Sequence, residues 1–270
     1  MVARFGFWKN KTHHLDKMTL KELVVAYFQY YAIQGYIIAA LISIYVAATH
    51  VTSLWANVAA VAITYVVYPL VWYLAHRYIL HGNIFYKNPI TARTWKRVHY
   101  DHHQDPYDLS ILFGALYTTM PLIALATIPV GYLLDGIGGA ATAFATGLII
   151  TCFYEFCHCI MHLSYKPKNE YVKKIKKLHV MHHFQNEKVN YGIMSFWLDK
   201  LFGTYQDNPA ELEKSPTVFD LGYTAEMAEK YPWVARMSGG VSHNSPRERR
   251  LKHTSKDKKT ATEHTQTAAE

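Results

Sequence analysis

The sequence predicts an all-α, polytopic membrane protein, with four transmembrane helices in two hairpins closed on the cytoplasmic side by a histidine-rich helical cap. The first observation behind this is the placement of apolar residues. Residues 23–76 hold no Asp, Glu, Lys or Arg in 54 positions, and 109–134 and 136–154 are two further such runs with Asp135 alone between them. Each gap-free stretch approaches or exceeds the roughly 20 apolar residues that cross a bilayer as helix. The second observation is where the charge goes. All 28 Lys and Arg lie outside the runs, five in residues 1–22, five in 77–108 and eighteen in 155–270. With two hairpins these basic segments share one face, and the positive-inside rule puts that face and both termini in the cytoplasm. A soluble globular enzyme and a disordered chain are both excluded.

Residues 1–22 read as a polar cytoplasmic lead-in. Charges are scattered up to Glu22 and no short apolar stretch ends in a small-residue cleavage site, so a cleavable signal is not expected. Residues 23–206 form the membrane domain. The first run holds helices at about 24–47 and 54–76 around a short Thr/His/Ser turn, and the second and third runs give a pair hinged at Asp135-Gly136. Residues 207–237 form a peripheral segment with a short helix around 225–230, between Pro216 and Pro232. From 238 to 270 the chain lacks aromatic residues and reads as a disordered polar tail. The net charge of +8 follows from the orientation rule and from anionic headgroups; nucleic acid is not expected as a partner. Cys152, Cys157 and Cys159 crowd the end of the fourth span, where a cytoplasmic location keeps them reduced.

Each half is a hairpin followed by five histidines in comparable order. The first has His76 and His81, then His99, His102 and His103; the second has His158 and His162, then His179, His182 and His183. Imidazole is the commonest side-chain metal ligand and suits Fe, Zn, Cu and Ni. In a helix, positions i, i+3 and i+4 share a face. His179, His182 and His183 therefore extend the apolar arc of Val172 and Ile175, with Lys173, Lys174 and Lys177 opposite. His99 and His102 lie on the arc of Trp95 and Val98, and His103 sits at its edge. His158 and His162 stack one turn apart, with Glu155 a turn earlier. His76 and His81, five apart, fall about 140° around an α-helix, which predicts that the helix ends or tightens near His81. Two facing halves would bring ten imidazoles to one site at the membrane surface, enough for two metals. Glu155, Asp101 and Asp105 are candidates to orient those rings, with a plain surface or helix-end charge as the alternative for each. His13, His14, His50, His243, His253 and His264 read as surface residues.

With these residues in hand the chain resembles the fatty acid hydroxylase superfamily, which includes sterol desaturases, sphingoid-base hydroxylases and fatty acid 2-hydroxylases. The resemblance rests on His76-Arg77-Tyr78-Ile79-Leu80-His81, His99-Tyr100-Asp101-His102-His103, His158-Cys159-Ile160-Met161-His162 and His179-Val180-Met181-His182-His183. Asn190-Tyr191-Gly192, Trp197-Leu198-Asp199 and Phe202-Gly203-Thr204 extend it. It implies a non-haem di-iron centre, two iron ions held by the ten histidines, that uses O2 and external electrons on a C–H bond of a lipid drawn from the bilayer. Zinc would suit the same ligands in purified protein but does not change oxidation state. The four-residue interval between His76 and His81 looks most like fatty acid 2-hydroxylases and carotenoid hydroxylases. A His-Pro-Gly-Gly haem loop is lacking, so the expected electron donor is a separate protein of cytochrome or ferredoxin type; this favours a bacterial inner membrane over an endoplasmic reticulum. Hydroxylation is the leading expectation, with a lipid or sterol desaturase, or a carotenoid hydroxylase, as the enzymatic alternative. A metal transporter is the alternative outside enzymes. Its site would belong near the bilayer midplane, whereas these histidines lie at span ends and in polar segments.

Overall fold

The computed structural model describes residues 13–246 and 248, and among them every regular element is a helix or helical turn, with no strand. A reciprocal capping box starts α1 (Leu20–Gln29): Thr19 accepts the Glu22 N–H, and Glu22 accepts the Thr19 N–H at 2.8 Å. Tyr30 then leaves helical geometry (φ −79°, ψ 130°) before α2 (Tyr31–His50). The helix expected over 24–47 is thus two helices. No Pro or Gly marks the break. The Tyr30 ring is stacked on Phe113 at 4.4 Å and its hydroxyl accepts from Arg97 at 3.4 Å. A long-range anchor redirects the chain there, which local periodicity does not register.

Ser53 caps α3 (Leu54–Leu74), which continues into a π-turn over Ala75–Leu80. Then α4 (Pro89–Trp95), a second π-turn (Lys96–Tyr100) and α5 (Asp101–Gln104) follow without interruption. A short α6 (Leu109–Leu112) precedes the long α7 (Leu116–His162), and α8 (Glu170–Phe184) follows it. Three small helices complete the cap: α9 (Trp197–Leu201), α10 (Ala225–Lys230) and α11 (Trp233–Ser238). The helix expected near 225–230 is α10.

Among the described residues, three helices are long and apolar enough to cross a membrane: Tyr31–His50, Leu54–Leu80 and Leu109–His162. Large apolar side chains such as Leu41, Tyr45, Trp55, Leu125 and Leu133 stand exposed on them, an arrangement suited to lipid and not to water. The third spans 54 residues and leaves helical geometry at Asp135 (φ −152°, ψ 41°) and Gly136 (φ 53°, ψ −133°). That left-handed position suits glycine. Across the break the backbones touch: a Cβ on Gly131 would stand 2.2 Å from the Gly139 carbonyl oxygen, and one on Gly147 2.9 Å from Thr127. The Asp135 carboxylate accepts from the Thr52 N–H (3.0 Å) and hydroxyl, the Ser53 N–H and the Asn57 amide, tying this turn to the one between α2 and α3. Both α2 and α3 pack along α7. Gly131→Ala is expected to destabilise the protein by about 2 kcal/mol, since packed backbone has no room to give. A lower thermal midpoint in detergent checks it.

Inside, Tyr27, Tyr36 and Tyr68 bury their rings and bond their hydroxyls to the Cys152 carbonyl, Thr119 and Thr151. Cys152, Cys157 and Cys159 are free thiols, Cys159 fully in the core. On the cap, Tyr86, Trp95, Tyr100, Tyr223 and Val234 form a second core. Of the segment read as a polar tail, Val241 packs on this second core and the Ser242 carbonyl accepts from Gln104 at 3.1 Å. The remainder of that segment beyond 248, and residues 1–12 of the lead-in, lie outside the described residues.

Candidate metal centre

The helices that carry the histidines are bent to the purpose at two points. At the end of α3 the His81 N–H bonds the His76 carbonyl at 3.0 Å, an i→i+5 link. The helix ends at His81, as expected, but its last turn widens and does not tighten. Widening rotates residues five apart onto one face, and the two Nε2 atoms come within 3.2 Å. A second π-turn, closed by the Asp101 N–H on the Lys96 carbonyl, shifts the register so that His99, His102 and His103 are all buried. Such turns recur at functional sites because they re-aim side chains. α8 needs no bend. Asn169 caps it by accepting the Val172 N–H, and His179, His182 and His183 point inward at 1% exposure or less.

The ten rings converge as two groups of five, one of His76, His81, His99, His103 and His182, the other of His102, His158, His162, His179 and His183; within each, one nitrogen per ring lies within 4.8 Å of all the others. Each group takes four rings from one half of the chain and one from the other, so His182 and His102 cross over. The Nε2 atoms of His81 and His99 are 2.7 Å apart, those of His102 and His158 3.1 Å, and those of His162 and His179 2.9 Å. His103 stacks on His183 at 4.2 Å between the groups. The Nε2 atoms of His103, His182 and His183 are buried with no hydrogen-bond partner. Orphaned nitrogens of this kind are costly, and converging lone pairs on neutral imidazoles are what a first-row transition metal requires.

Burial drives the rings to the neutral form. Desolvation first, and neighbouring imidazoles second, hold His81, His99, His102, His103, His179 and His183 well below the ordinary value near 6.5. His182 falls to about 4, again mainly by desolvation. A ring neutral when folded and protonated when unfolded contributes stability above 6.5 that is lost as pH falls towards the folded value. As pH falls from about 6.5 towards 4, the thermal midpoint of the stripped protein is expected to fall, and bound metal to leave as the fold gives way or the rings protonate near the lower end of that range. Metal analysis after dialysis at stepped pH, beside melting curves, reads both.

Backbone carbonyls, more than acids, orient the rings. Nδ1 of His76 donates to the Tyr191 carbonyl (2.7 Å), that of His182 to Val189 (2.7 Å) and that of His103 to Val218 (3.1 Å). Of the three acids expected in this role, Asp101 pairs with Lys96 at 2.6 Å and Asp105 accepts the Tyr107 N–H. Glu155 is buried, is hydrogen-bonded by the Gly114 backbone, and looks into the site. Asp199, fully buried, accepts from the Tyr191 N–H (2.8 Å), the Gly192 N–H (2.9 Å) and the Thr204 hydroxyl (2.8 Å), fixing the loop whose carbonyl holds His76. A cavity of about 60 Å³ touches rings of both groups, and Trp72, Leu80, Leu112, Tyr154 and Ile193 form much of its wall.

A family model described as fatty acid hydroxylase matches residues 61–204, just over half of the chain and the stretch that bears all ten histidines. The chain belongs to the fatty acid hydroxylase family. It is 30% identical to the ceramide very long chain fatty acid hydroxylase SCS7 of Saccharomyces cerevisiae, over 55% of this chain and 38% of that one. It is 30% identical to the human fatty acid 2-hydroxylase, over 50% and 36%. With the dihydroceramide fatty acyl 2-hydroxylase FAH2 of Arabidopsis thaliana the figures are 31%, 57% and 64%. The aligned region is thus under two thirds of each of these relatives. A solved structure of full-length Scs7p, in which only the hydroxylase domain is visible, superposes with a TM-score of 0.57 at 25% identity, covering 78% of this chain and 73% of that one.

In this member of the family, sequence reasoning missed the two carbonyl acceptors that orient rings, Val189 and Val218, because a carbonyl has no residue signature. Asn190-Tyr191-Gly192, Trp197-Leu198-Asp199 and Phe202-Gly203-Thr204 entered as part of the resemblance, which did not say what Asp199 does there. His243 is exposed, as read, and its ring bonds the buried carboxylate of Asp220, two residues beyond Val218. His13 and His14 are half-buried, not at the surface.

Proposed function

We propose that this chain hydroxylates a fatty acyl chain of a membrane lipid, at carbon 2 as the names of its relatives suggest. The observation that supports it most is the pair of five-histidine groups, each built from both halves, opening on a largely apolar cavity at the end of the spans. The ten histidines would hold two iron ions, which supply the redox chemistry that activates O2 with electrons from a donor protein; the cofactor carries the difficult step. The protein's own part is placement. Trp72, Leu80, Leu112 and Ile193 exclude water and hold methylenes against the rings, while Glu155 offers a polar contact in an otherwise apolar wall. The carbonyls of Tyr191, Val189 and Val218 fix each ring's tautomer by accepting from Nδ1, which leaves Nε2 free for metal. In the membrane the break at Asp135-Gly136 divides the third long helix into two crossings. That gives four spans in two hairpins, with the histidine cap and both termini in the cytoplasm.

Comparative lipid mass spectrometry of cells with and without the gene tests the reading. A species heavier by one oxygen, on the acyl chain at carbon 2, is expected. A species lighter by two hydrogens would replace hydroxylation with desaturation, and no new species would remove the proposal.

A further inference from the structure

Behind the histidines lies a second concavity. A groove of about 800 Å³ runs along the outer face of α8, with Val180, Met181 and Phe184 in its floor and Lys166, Lys173, Lys176, Lys177 and Lys214 around it; no acid lines it. Lys176 is a fixture of the fold, donating to the Ile160, Leu163 and Tyr165 carbonyls at the end of α7. Of the other four, Lys173 also pairs with Glu170 at 2.6 Å on the exposed start of α8, and Lys177 donates to the Asp207 carbonyl, so the rim keeps a net positive charge. The floor is the reverse side of the helix that bears His179, His182 and His183. The Phe184 ring lies 6.5 Å from His183 and 6.0 Å from Tyr107, whose own ring lies 6.5 Å from His162. Two aromatic side chains therefore connect the groove with one five-histidine group.

From this we infer that the groove is the docking face for an acidic one-electron carrier protein, an iron–sulfur or haem type, which delivers electrons past Phe184 to the His183 group. The inference rests on the hydroxylase reading above. Lysines ringing a small apolar floor match what a transient redox encounter uses: charge steers approach and a modest contact area lets the carrier leave. Each hydroxylation oxidises two reduced carriers by one electron each. With O2 and two protons, those electrons convert C–H to C–OH and leave one water, so the groove must admit and release a carrier twice per turnover.

The test uses the full chain in zwitterionic-lipid nanodiscs, an acidic plant-type [2Fe–2S] ferredoxin as probe, and the double charge reversal Lys173→Glu/Lys177→Glu. Lys87→Glu/Lys188→Glu, both exposed and outside the groove, changes net charge equally. Ferredoxin affinity is expected to weaken about tenfold in the groove variant, to change little in the control, and to fall with added salt. Unchanged affinity in the groove variant, or equal loss in the control, overturns the docking face. So does a groove variant that keeps its ferredoxin affinity and instead loses retention of anionic lipid, which would make the groove a headgroup site. Single-turnover product formation with dithionite as reductant separates the two readings. Product in wild type and groove variant alike, with only the ferredoxin-driven rate lowered in the variant, supports both. Absence of product from wild type with dithionite removes the hydroxylase reading, and the binding measurement still decides the docking face.

Discussion

Replacing His182 with alanine is expected to lower product formation by more than about 100-fold, because loss of an outer partner of a metal ligand alone costs 10–100-fold and loss of the ligand exceeds it. His182 belongs in sequence to the second HisxxHisHis element, yet its ring sits among His76, His81, His99 and His103. The same substitution at His102 removes the ring that the first half lends to His158, His162, His179 and His183. Each change should therefore damage the group opposite its own chain segment and lower metal content by about half. Metal analysis of the purified variants reads this directly. His50→Ala, at an exposed position in the far turn, is the control and should leave both metal and product unaltered. Full metal content in His182→Ala protein would show that the crossing is not part of the binding set.

Asp199→Ala should be the most damaging change outside the histidines. The carboxylate is fully buried and receives two backbone N–H groups and one hydroxyl. Alanine would leave three donors without an acceptor, at about 1–3 kcal/mol each for a buried orphan, so a total on the order of 4 kcal/mol is expected. The effect extends beyond stability. Tyr191, released at its N–H, no longer presents a fixed carbonyl to His76, and ring orientation is worth roughly 10–100-fold in metal affinity or activity. Asp199→Asn keeps shape and one acceptor oxygen, so it should recover part of the melting temperature while its metal affinity stays below wild type. A pair of melting curves with a metal titration separates the two roles. Equal metal affinity in all three proteins would confine Asp199 to stability.

How far the site was legible can be followed residue by residue. The HisxxHisHis faces were readable because helical periodicity places i, i+3 and i+4 together, and both elements bury those faces. The hinge at Asp135-Gly136 was readable because a charge and a glycine interrupt an apolar run. The crossing of His102 and His182 was not, since nothing local says which half a ring will face. The π-turns were also hidden. An extra residue per turn leaves no compositional mark, and the interval between His76 and His81 pointed to the helix end that is found there but not to the wide turn that precedes it. Tyr30 shows the same limit: Phe113 and Arg97, some seventy to eighty positions away, determine where α1 stops. Charge reading fared differently at Asp101, whose pairing with Lys96 five positions earlier follows from the widened turn and removes it from the rings it was expected to steer.

The exchange of one ring between halves also bears on biogenesis. A nascent chain that has left the ribosome only as far as Gln104 offers four of the five histidines of one group and a single one of the other. Neither pocket can close before residues 179–183 have threaded back against 99–103, and Val218 must still arrive to steady His103. Loading of a metal would thereby wait until residues 179–218 have been made, which would shield the half-made polypeptide from a reactive, incompletely enclosed ion.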